Sequence, residues 1–522
     1  MILSRTKMLE QARFGKWDVL VIGGGATGLG IALDSATRGL KTILVEQSDF
    51  AKSTSSRSTK LVHGGVRYLQ QGDVALVREA LRERGRMLRN APHLVRDMRF
   101  IIGGYRWWER AFYTIGLTFY DLLAGSLGLG RSLPLSKSKV LSEIPSISQD
   151  KLRGGVVYHD GQFDDARMAI TLALSAQDAG ATCLNYLRVL ELNKSHQGKV
   201  CGAKVCDELT GKNFDIDAKI VINATGVFVD DIMIMDAPET SKKVRPSQGV
   251  HLVVDSSFLG GDSALMIPKT DDGRVLFGVP WHNKVILGTT DTPLDEESLE
   301  PRALEEEVEF ILNQAGKYLV KKPTRKDILC VFAGLRPLAA PSKAGSNSTK
   351  EISRSHKIYI SDSNLVSITG GKWTTYRAMA EDVLNKALKL TNLKSYPCCT
   401  ADLKLHGYKK NVDRSNWNYV YGSDIEKIKS IENSDPTTIE KIHKDYSFTK
   451  SQVVFAARYE FAHTVEDVLA RRVRLLFLDA RAAKESACIV AEILAKELNK
   501  DKEWQSHQVE EFNKLADGYI LS

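Results

Sequence analysis

A glycine-rich turn near the amino terminus constrains the fold more than any other feature of this sequence. Gly23, Gly25 and Gly28 form the pattern G-x-G-x-x-G, directly after the apolar segment 18–22 and at the start of a helical pattern. The first glycine permits a tight turn, the second lets the backbone approach a pyrophosphate, and the third lets helix and strand pack closely. Glu46 ends the next apolar strand, at the distance where a carboxylate accepts from ribose hydroxyls. The sequence therefore predicts a Rossmann-like α/β domain that binds a dinucleotide at the positive end of a helix.

Length and composition are those of an ordinary globular protein. With 522 residues the chain has room for roughly two to four domains, and its hydrophobic share is 43%. Seven cysteines include no C-x-x-C pair, so we expect neither a metal site nor a disulfide framework, and a reducing compartment fits best. Residues 1–16 are interrupted by charges and lack the apolar core of a secretory signal. These features predict a cytoplasmic protein of several domains.

Positive charge is concentrated in one part of the chain. The net charge is +8, and residues 78–106 hold eight arginines against three acidic residues. Four of these arginines, from Arg78 to Arg89, recur at helical spacing and fall on one face. A solvated helix face is the plain interpretation. Because aromatic residues follow at 105–113, we favour attraction to an anionic membrane surface over nucleic-acid binding, for which no module is recognisable.

The stretch 111–130 is the strongest candidate for a membrane segment. Its only charged residue is Asp121, but it also carries four glycines. We therefore expect a buried or interfacial segment and not a spanning helix.

Three later segments combine strands or helix starts with small residues. Residues 53–69 contain serines and His63-Gly64-Gly65, which suit contacts to phosphate and to a flat ring. Helix capping explains Ser55 and Ser56 equally well, and a hydrogen-bonded loop explains His63. Residues 219–226 form an apolar strand that we expect to return to the nucleotide-binding sheet, and residues 365–376 repeat the order strand, paired glycines and helix.

The remaining patterns complete the predicted fold class. Alternating strands between 244 and 292 predict an antiparallel-sheet substrate domain, and residues 401–522 have helical periodicity. We predict an α/β protein with a Rossmann-like cofactor-binding domain, this substrate domain and a C-terminal helical domain. The predicted division assigns 15–95, 150–240 and 328–395 to a discontinuous cofactor-binding domain, 96–149 and 241–327 to a substrate and membrane-proximal domain, and 396–522 to a helical cap.

Motifs along the chain resemble those of one enzyme family. They are V-I-G-G-G-A-T-G at 21–28, S-T-K-L-V-H-G-G-V-R-Y-L at 58–69, A-P-H-L at 91–94, N-A-T-G at 223–226, G-T-T-D at 288–291, A-G-L-R-P-L at 333–338 and T-G-G-K-W-T-T-Y-R at 369–377. Together they resemble the FAD-dependent glycerol-3-phosphate dehydrogenase family, closely over 17–390 and more loosely beyond.

The resemblance implies an activity and a location. The implied reaction oxidises sn-glycerol 3-phosphate to dihydroxyacetone phosphate by hydride transfer to FAD, and electrons then pass to a membrane quinone of the respiratory chain. The implied location is the cytoplasm, with peripheral attachment to the inner face of the cell membrane. A homodimer is a candidate assembly.

Arginines are the expected ligands of the substrate phosphate. Guanidinium groups match a phosphate dianion well, and Arg67, Arg336 and Arg354 are the candidates. Surface ion pairing is the alternative, but the apolar and glycine-rich surroundings of Arg67 and Arg336 favour a site. Tyr68 is expected to close the pocket.

Oxidation of the alcohol also requires a base beside the hydroxyl. By analogy with the family, His251 and His63 are both candidates, and Lys372 is expected to stabilise the developing alkoxide. Thr289 and Thr290 are expected to position the substrate, although turn formation explains them as well.

The expected FAD contacts come from four parts of the chain. They are Gly23, Gly25, Ala26, Thr27, Gly28, Glu46, Ser55, Ser56, His63, Gly64, Gly65, Ala224, Thr225, Gly226, Gly370, Gly371, Lys372, Trp373 and Thr374. Two departures from the family pattern stand out. Val227-Phe228 follows N-A-T-G where the family often has proline, and the C-terminal region has no EF-hand loop, so calcium regulation is not expected.

Three other functions share parts of this pattern. An oxidase of similar fold would pass electrons to oxygen, from the same substrate or from an amino acid, but an amino acid needs only one guanidinium. A flavoprotein that modifies tRNA would use the arginine-rich stretch, although the neighbouring aromatic residues suit lipid better, so no nucleic-acid partner is expected. An NAD-dependent dehydrogenase would not need the segments at 224–226 and 370–373.

Overall fold

The chain forms two β-sheets, helices that pack on them, and a helical C-terminal region. The computed structural model describes residues 4–66, 69, 72–339 and 356–521. In these residues the strands are β1 (Lys16–Ile22), β2 (Thr42–Val45), β3 (Leu61–Val62), β4 (Val95–Gly104), β5 (Leu133–Ser136), β6 (Gly154–Phe163), β7 (Thr182–Leu184), β8 (Leu187–Lys194), β9 (Val200–Asp207), β10 (Lys212–Asn223), β11 (Val244–Asp255), β12 (Ala264–Ile267), β13 (Leu276–Trp281), β14 (Lys284–Gly288), β15 (Thr292–Pro293), β16 (Cys330–Ala339), β17 (Lys357–Ile360) and β18 (Val366–Thr369). The longer α-helices are Arg5–Phe14, Ala26–Thr37, Val74–Asn90, Glu109–Ala124, Lys137–Glu143, Asp165–Asp178, Val229–Asp236, Glu305–Tyr318, Tyr376–Leu388, Ile425–Ser434, Lys450–Tyr459, Ala480–Leu498 and Lys502–Asp517.

β1 lies inside the first sheet, whose strand order is β17-β18-β10-β1-β2-β7, with the hairpin β8-β9 attached to β10. β1 pairs in parallel with β2 on one side and with β10 on the other, and β10 pairs in parallel with β18. Because β2 and β10 lie on opposite sides of β1, a crevice opens at the carboxyl ends of β1 and β10, where open α/β sheets bind ligands. This topology confirms the predicted Rossmann-like domain and the return of 219–226 to its sheet.

The helix Ala26–Thr37 follows the glycine turn and packs against the helix Tyr376–Leu388. Gly30 permits this approach, because a methyl group at that position would lie 2.8 Å from the Tyr376 ring. The helix after the first glycine segment is therefore held by the helix that follows the paired glycines at 370 and 371.

The second sheet has ten strands in the order β15-β11-β14-β13-β12-β4-β6-β3, with β16 paired to β11 and β5 to β6. Its described pairs are antiparallel apart from β4 with β12. The antiparallel sheet of the predicted substrate domain is thus confirmed. β3, β6 and β16 also belong to this sheet, although the predicted division groups their residues with the cofactor-binding domain. Periodicity identifies a strand but not the sheet that it joins, and the division as a whole stays a prediction.

The C-terminal region is helical, as predicted, and it contacts the rest of the chain through buried ion pairs. Arg471 and Arg472 both donate to the carboxylate of Asp49, which follows β2. Arg167 and Glu460 form a second buried pair at 2.6 Å. Because an unpaired buried charge is costly, these partners keep the helical region in place beside the nucleotide-binding sheet.

The helix Glu109–Ala124 presents an apolar face to the outside. Ile115 is 72% exposed and Leu122 is 73% exposed, and Trp107 just before the helix is 83% exposed. Within the described ranges, no helix combines the length and the apolar character needed to cross a bilayer. Most of the stretch 111–130 therefore lies in an exposed helix with an apolar surface. It is not buried, and its interfacial role stays a prediction.

Two helices are capped by the side chain that precedes them. The Asp73 carboxylate caps the helix Val74–Asn90 by accepting the Leu76 N–H at 3.0 Å. The Ser136 hydroxyl caps the helix Lys137–Glu143 by accepting the Lys139 N–H at 3.2 Å.

Candidate active site

A cavity of about 370 Å³ lies at the carboxyl ends of β1 and β10, and we call it the dinucleotide groove. Its lining includes residues from 22–27 after β1, 45–55 after β2, 224–228 after β10 and 368–373 after β18. Segments far apart in the sequence therefore meet at the crevice that the sheet topology creates.

The glycine turn leaves no space for side chains. Gly23 has a φ of 109°, and a methyl group there would lie 2.7 Å from the Ala224 carbonyl oxygen. A methyl group at Gly28 would lie only 1.9 Å from the Gly23 carbonyl oxygen. The end of β1 and the start of the helix can thus approach each other only because positions 23 and 28 are glycines. This close approach is the backbone arrangement that receives a pyrophosphate. The turn fits the expected FAD.

Glu46 and Ser55 hold the glycine turn from the side. Glu46 Oε2 accepts the Gly24 N–H at 2.7 Å, and its Oε1 accepts the Ser48 N–H at 2.9 Å. Burial raises the pKa of Glu46, and these two backbone donors oppose the rise. Ser55 Oγ accepts the Ala26 N–H at 2.9 Å, so this serine caps the helix Ala26–Thr37 from a distant segment. Both side chains also line the groove.

Most of the predicted cofactor residues line the dinucleotide groove. These are Gly23, Gly25, Ala26, Thr27, Glu46, Ser55, Ala224, Thr225, Gly226, Gly370, Gly371, Lys372 and Trp373. Gly28, Ser56, Gly64 and Gly65 lie outside this lining. The Ser56 hydroxyl donates to the Ala51 carbonyl at 2.5 Å, and the Gly64 N–H donates to the Tyr120 hydroxyl at 2.8 Å. Their role as FAD contacts stays a prediction.

A second cavity of about 200 Å³ adjoins the dinucleotide groove, and both include Thr54, Pro337 and 370–373 in their walls. Besides Gly370, Gly371 and Trp373, the predicted site residues in this second cavity are His63, His251, Arg336, Lys372 and Thr374. Both candidate bases, one candidate phosphate ligand and the lysine therefore share one space. Trp373 helps to hold the shared wall in place, because its indole N–H donates to the Ser55 carbonyl at 2.8 Å.

His251 is buried on β11 at the wall of the second cavity. Its Nε2 lies 2.8 Å from Thr59 Oγ1, and its ring stacks on Phe332 with centroids 4.8 Å apart. Burial, and then the charges of Lys60 and Arg336, hold the pKa of His251 well below its usual value. The imidazole is therefore neutral at physiological pH and able to accept a proton.

The guanidinium of Arg336 is fixed by several acceptors. It donates to Asp291 Oδ1 and to the Thr290 carbonyl, each at 3.1 Å, and to the Gln248 carbonyl and Thr289 Oγ1, each at 3.3 Å. The side chain nevertheless remains 24% exposed. A fixed and partly exposed guanidinium is suited to binding an anion.

Gly249 makes room for this arginine. A methyl group at Gly249 would lie 2.4 Å from Arg336 Nη2 and 2.7 Å from Thr289 Oγ1. Thr290 differs from its neighbour, because it is buried and its hydroxyl donates to Glu307 Oε1 at 2.7 Å. The Thr290 hydroxyl thus serves the interior, and substrate contacts of both threonines stay predictions.

The sequence interpretation missed several residues of the second cavity, among them Thr59 and Arg57. Thr59 contacts His251, and Arg57 lines the cavity while pairing with Glu300 at 2.7 Å. Both lie in the polar run just before His63, and that density of polar side chains was the available signal. The predicted substrate residues Arg67, Tyr68 and Arg354 lie outside the described residues.

Comparison with known proteins first defines the class. Residues 18–382 match the family described as FAD dependent oxidoreductase, and residues 366–505 match the C-terminal domain of alpha-glycerophosphate oxidase. With the glycine turn and the dinucleotide groove, these matches define the chain as an FAD-dependent oxidoreductase.

Individual proteins narrow this class. The mitochondrial glycerol-3-phosphate dehydrogenase of Bos taurus is 42% identical over 98% of this chain and 74% of its own length. The enzyme of the same name from Schizosaccharomyces pombe is 38% identical over 99% of this chain and 89% of its own length. The glycerol-3-phosphate dehydrogenase of Bacillus halodurans complexed with FAD has a TM-score of 0.81 at 29% identity, covering 99% of this chain and 98% of that chain. The chain belongs to the FAD-dependent glycerol-3-phosphate dehydrogenase family.

Proposed function

We propose that this enzyme oxidises C2 of sn-glycerol 3-phosphate to give dihydroxyacetone phosphate and that the electrons pass to a membrane quinone. The observation that carries the proposal is the second cavity, which His251, Arg336 and Lys372 line and which shares a wall with the dinucleotide groove. FAD, when bound, accepts the hydride that leaves C2.

His251 is the proposed general base. When its Nε2–H donates to Thr59, Nδ1 carries the lone pair, and Nδ1 is buried without a hydrogen-bond partner among the described residues. The hydroxyl proton passes to this imidazole as the hydride leaves, so the alcohol becomes a ketone with one proton and two electrons accounted for. His63, in the same cavity, is the alternative base.

Cationic side chains are the proposed ligands of the substrate phosphate and of the C2 oxygen. Arg336 binds the phosphate, together with Arg67 and Arg354. Lys372 stabilises the negative charge that develops on the C2 oxygen. The hydrogen bonds that hold Arg336 support this role, because a guanidinium already in place loses little freedom when the phosphate binds.

The exposed apolar helix supports a membrane location and a quinone acceptor. An apolar pocket of about 370 Å³ lies beside the helix Glu109–Ala124, and its walls include Val66, Leu69 and Phe112. His63 thus lines the second cavity, whereas Val66 and Leu69, which follow it closely in the sequence, line the apolar pocket. We propose that the helix face rests in an anionic membrane surface at the cytoplasmic side and that quinone enters this pocket from the bilayer.

An anaerobic titration tests the reaction and the acceptor. Sn-glycerol 3-phosphate is added to the FAD-loaded enzyme while the visible flavin absorbance is followed, and rapid bleaching is expected. A short-chain quinone should then restore the absorbance. Absence of bleaching contradicts the proposed substrate, and recovery with oxygen but not with quinone favours a glycerol-3-phosphate oxidase.

A further inference from the structure

Lys60 is a buried lysine near His251 that the proposed reaction does not yet use. Its side chain has no exposed surface, and Nζ donates to Asp165 Oδ2 at 2.8 Å and to the Ser56 carbonyl at 2.7 Å. Burial lowers the pKa of Lys60 to about 8, against the attraction of Asp165. Because a buried ion pair contributes little net stability, folding stability alone does not account for the charge of Lys60.

Asp165 organises the turn that leads to Lys60. Its Oδ2 accepts the Ser58 N–H at 3.0 Å and the Ser58 hydroxyl at 2.7 Å, while its Oδ1 accepts Arg474 Nη2 at 2.8 Å. Burial opposes the negative charge, but Lys60 and Arg474 overcome this and hold the pKa of Asp165 below its usual value. The ionised carboxylate therefore fixes residues 56–60 as one unit.

Two contacts connect this unit with His251. The hydroxyl of Thr59, the residue before Lys60, lies 2.8 Å from His251 Nε2. The Phe332 ring stacks on the imidazole at 4.8 Å and lies 5.1 Å from Lys60 Nζ. The rings of Trp281 and Phe477 also lie against the ammonium. The Phe332 ring thus contacts both the fully buried Lys60 ammonium and the imidazole, and charges in such a buried setting interact more strongly than in water.

We propose that Lys60 is a positioning residue for proton transfer at His251. Clamped by Asp165, it holds the Thr59 hydroxyl on Nε2, and its charge keeps the imidazole neutral until the substrate hydroxyl supplies the proton. The inference rests on the proposed role of His251 as general base. Among the described residues, the charged groups that act on His251 are Lys60 and Arg336, and those that act on Lys60 include Asp164, Asp165 and Arg474.

Loss of the Lys60 charge has a predictable effect on the pH profile. His251 must be unprotonated to act, so kcat/KM falls as the pH drops through its pKa. A nearby cation lowers that pKa, and its removal therefore moves the acidic limb towards neutral pH. For a unit charge at roughly 10 Å and an effective dielectric constant of about 20, the expected shift is about one pH unit.

The experiment compares the pH dependence of kcat/KM in the FAD-loaded wild type and in Lys60→Met, Lys60→Arg and Arg38→Met. The range runs from the lowest pH at which the enzyme retains FAD up to neutral pH, where Lys60 still carries its charge. Arg38 is the matched control, because it forms a buried ion pair with Asp34 at 2.6 Å and lines neither cavity. We expect the shift in Lys60→Met alone. A Lys60→Met profile that superimposes on the wild type, with normal flavin content, overturns the proposal.

Three further variants keep the outcome decisive. If Lys60→Met does not retain flavin, Thr59→Val is compared with Thr59→Ser, and only the valine variant should lose kcat/KM, by about tenfold for one hydrogen bond. Equal kcat/KM in those two variants contradicts the positioning role. His251→Gln separates the two proposals. Wild-type activity in this variant contradicts the role of His251 as general base. If this variant is inactive but the Lys60 and Thr59 variants behave like the wild type, only the role proposed for Lys60 is contradicted.

Discussion

Arg336→Ala removes a guanidinium that several acceptors hold at the wall of the second cavity. The side chain donates to Asp291 Oδ1 and to the Thr290 carbonyl at 3.1 Å, and it is 24% exposed. We propose that its exposed part binds the substrate phosphate, so the variant should lose substrate affinity. FAD should remain bound, because Arg336 lines the second cavity and not the dinucleotide groove.

The size of the loss follows from the kind of interaction. A hydrogen bond between charged partners contributes about 1.5–3 kcal/mol, and a bidentate guanidinium adds to this. A loss of about 3 kcal/mol corresponds to a decrease in kcat/KM of roughly 150-fold. The partly exposed ion pair with Asp291 contributes at most about 1 kcal/mol to folding stability, so the variant should fold. Arg336→Lys keeps the charge but not the planar fork, and should lose about tenfold.

Steady-state kinetics with a quinone acceptor, together with the flavin-to-protein absorbance ratio, test this reasoning. The expected result is a large rise in KM for glycerol 3-phosphate at a normal flavin ratio. A change in kcat/KM of less than about threefold would refute the phosphate role, because it is far below the loss of one charge-assisted bond. Loss of flavin in Arg336→Ala would show that the residue serves the cofactor instead.

Four further results are expected. Gly28→Ala should abolish FAD retention, because its methyl group would lie 1.9 Å from the Gly23 carbonyl oxygen, whereas Gly116→Ala, which meets nothing within 4 Å, should keep the wild-type flavin ratio. Gly249→Ala should displace Arg336 and raise KM, and the double variant with Arg336→Ala should be no worse than Arg336→Ala alone if the glycine acts only through the arginine. His406 lies between Asp178 and Asp424, whose hydrogen bonds outweigh burial and raise its pKa to about 9. A group whose pKa is raised by folding stabilises the folded state fully below its unfolded pKa, near 6.5, and this contribution is lost as the pH rises to the folded pKa. Thermal unfolding should therefore show a loss of stability on the order of 1–2 kcal/mol between pH 6.5 and 9, discounted for the 59% exposure of Asp178, and His406→Gln should remove this pH dependence. Ile115→Glu with Leu122→Glu should weaken binding to anionic vesicles in flotation assays while leaving turnover with a soluble acceptor unchanged, and undiminished flotation would contradict the membrane-facing role of this helix.

Much of the local structure could be predicted because it depends on neighbouring residues. The turn after β1 needs glycines at fixed spacing, and the helix Val74–Asn90 shows its periodicity and its Asp73 cap in the sequence. The place of β6 in the second sheet could not be predicted, since its partners β3, β4 and β5 are set by the tertiary fold. The helix Lys137–Glu143 was missed although its Ser136 cap was present.

The residues of the candidate site also differ in whether the sequence alone could identify them. Motif resemblance named His251, Arg336 and Lys372, but it did not show that they share a cavity or what holds each of them. Thr59, 192 positions before His251, was missed because only the fold brings its hydroxyl to the imidazole. The assignments of Arg67, Tyr68 and Arg354 stay predictions.

By itself, the sequence determined the dinucleotide turn, the helices and strands around it and the enzyme family, because glycine spacing and side-chain periodicity act within a few residues of chain. Only the tertiary structure decided the environment of His251. The pairing of β11 with β16 stacks Phe332 on its ring, and the Asp165 carboxylate fixes Thr59 and Lys60 beside it. These contacts control whether the imidazole is neutral, since a pKa depends on burial and on charges that distant segments bring together.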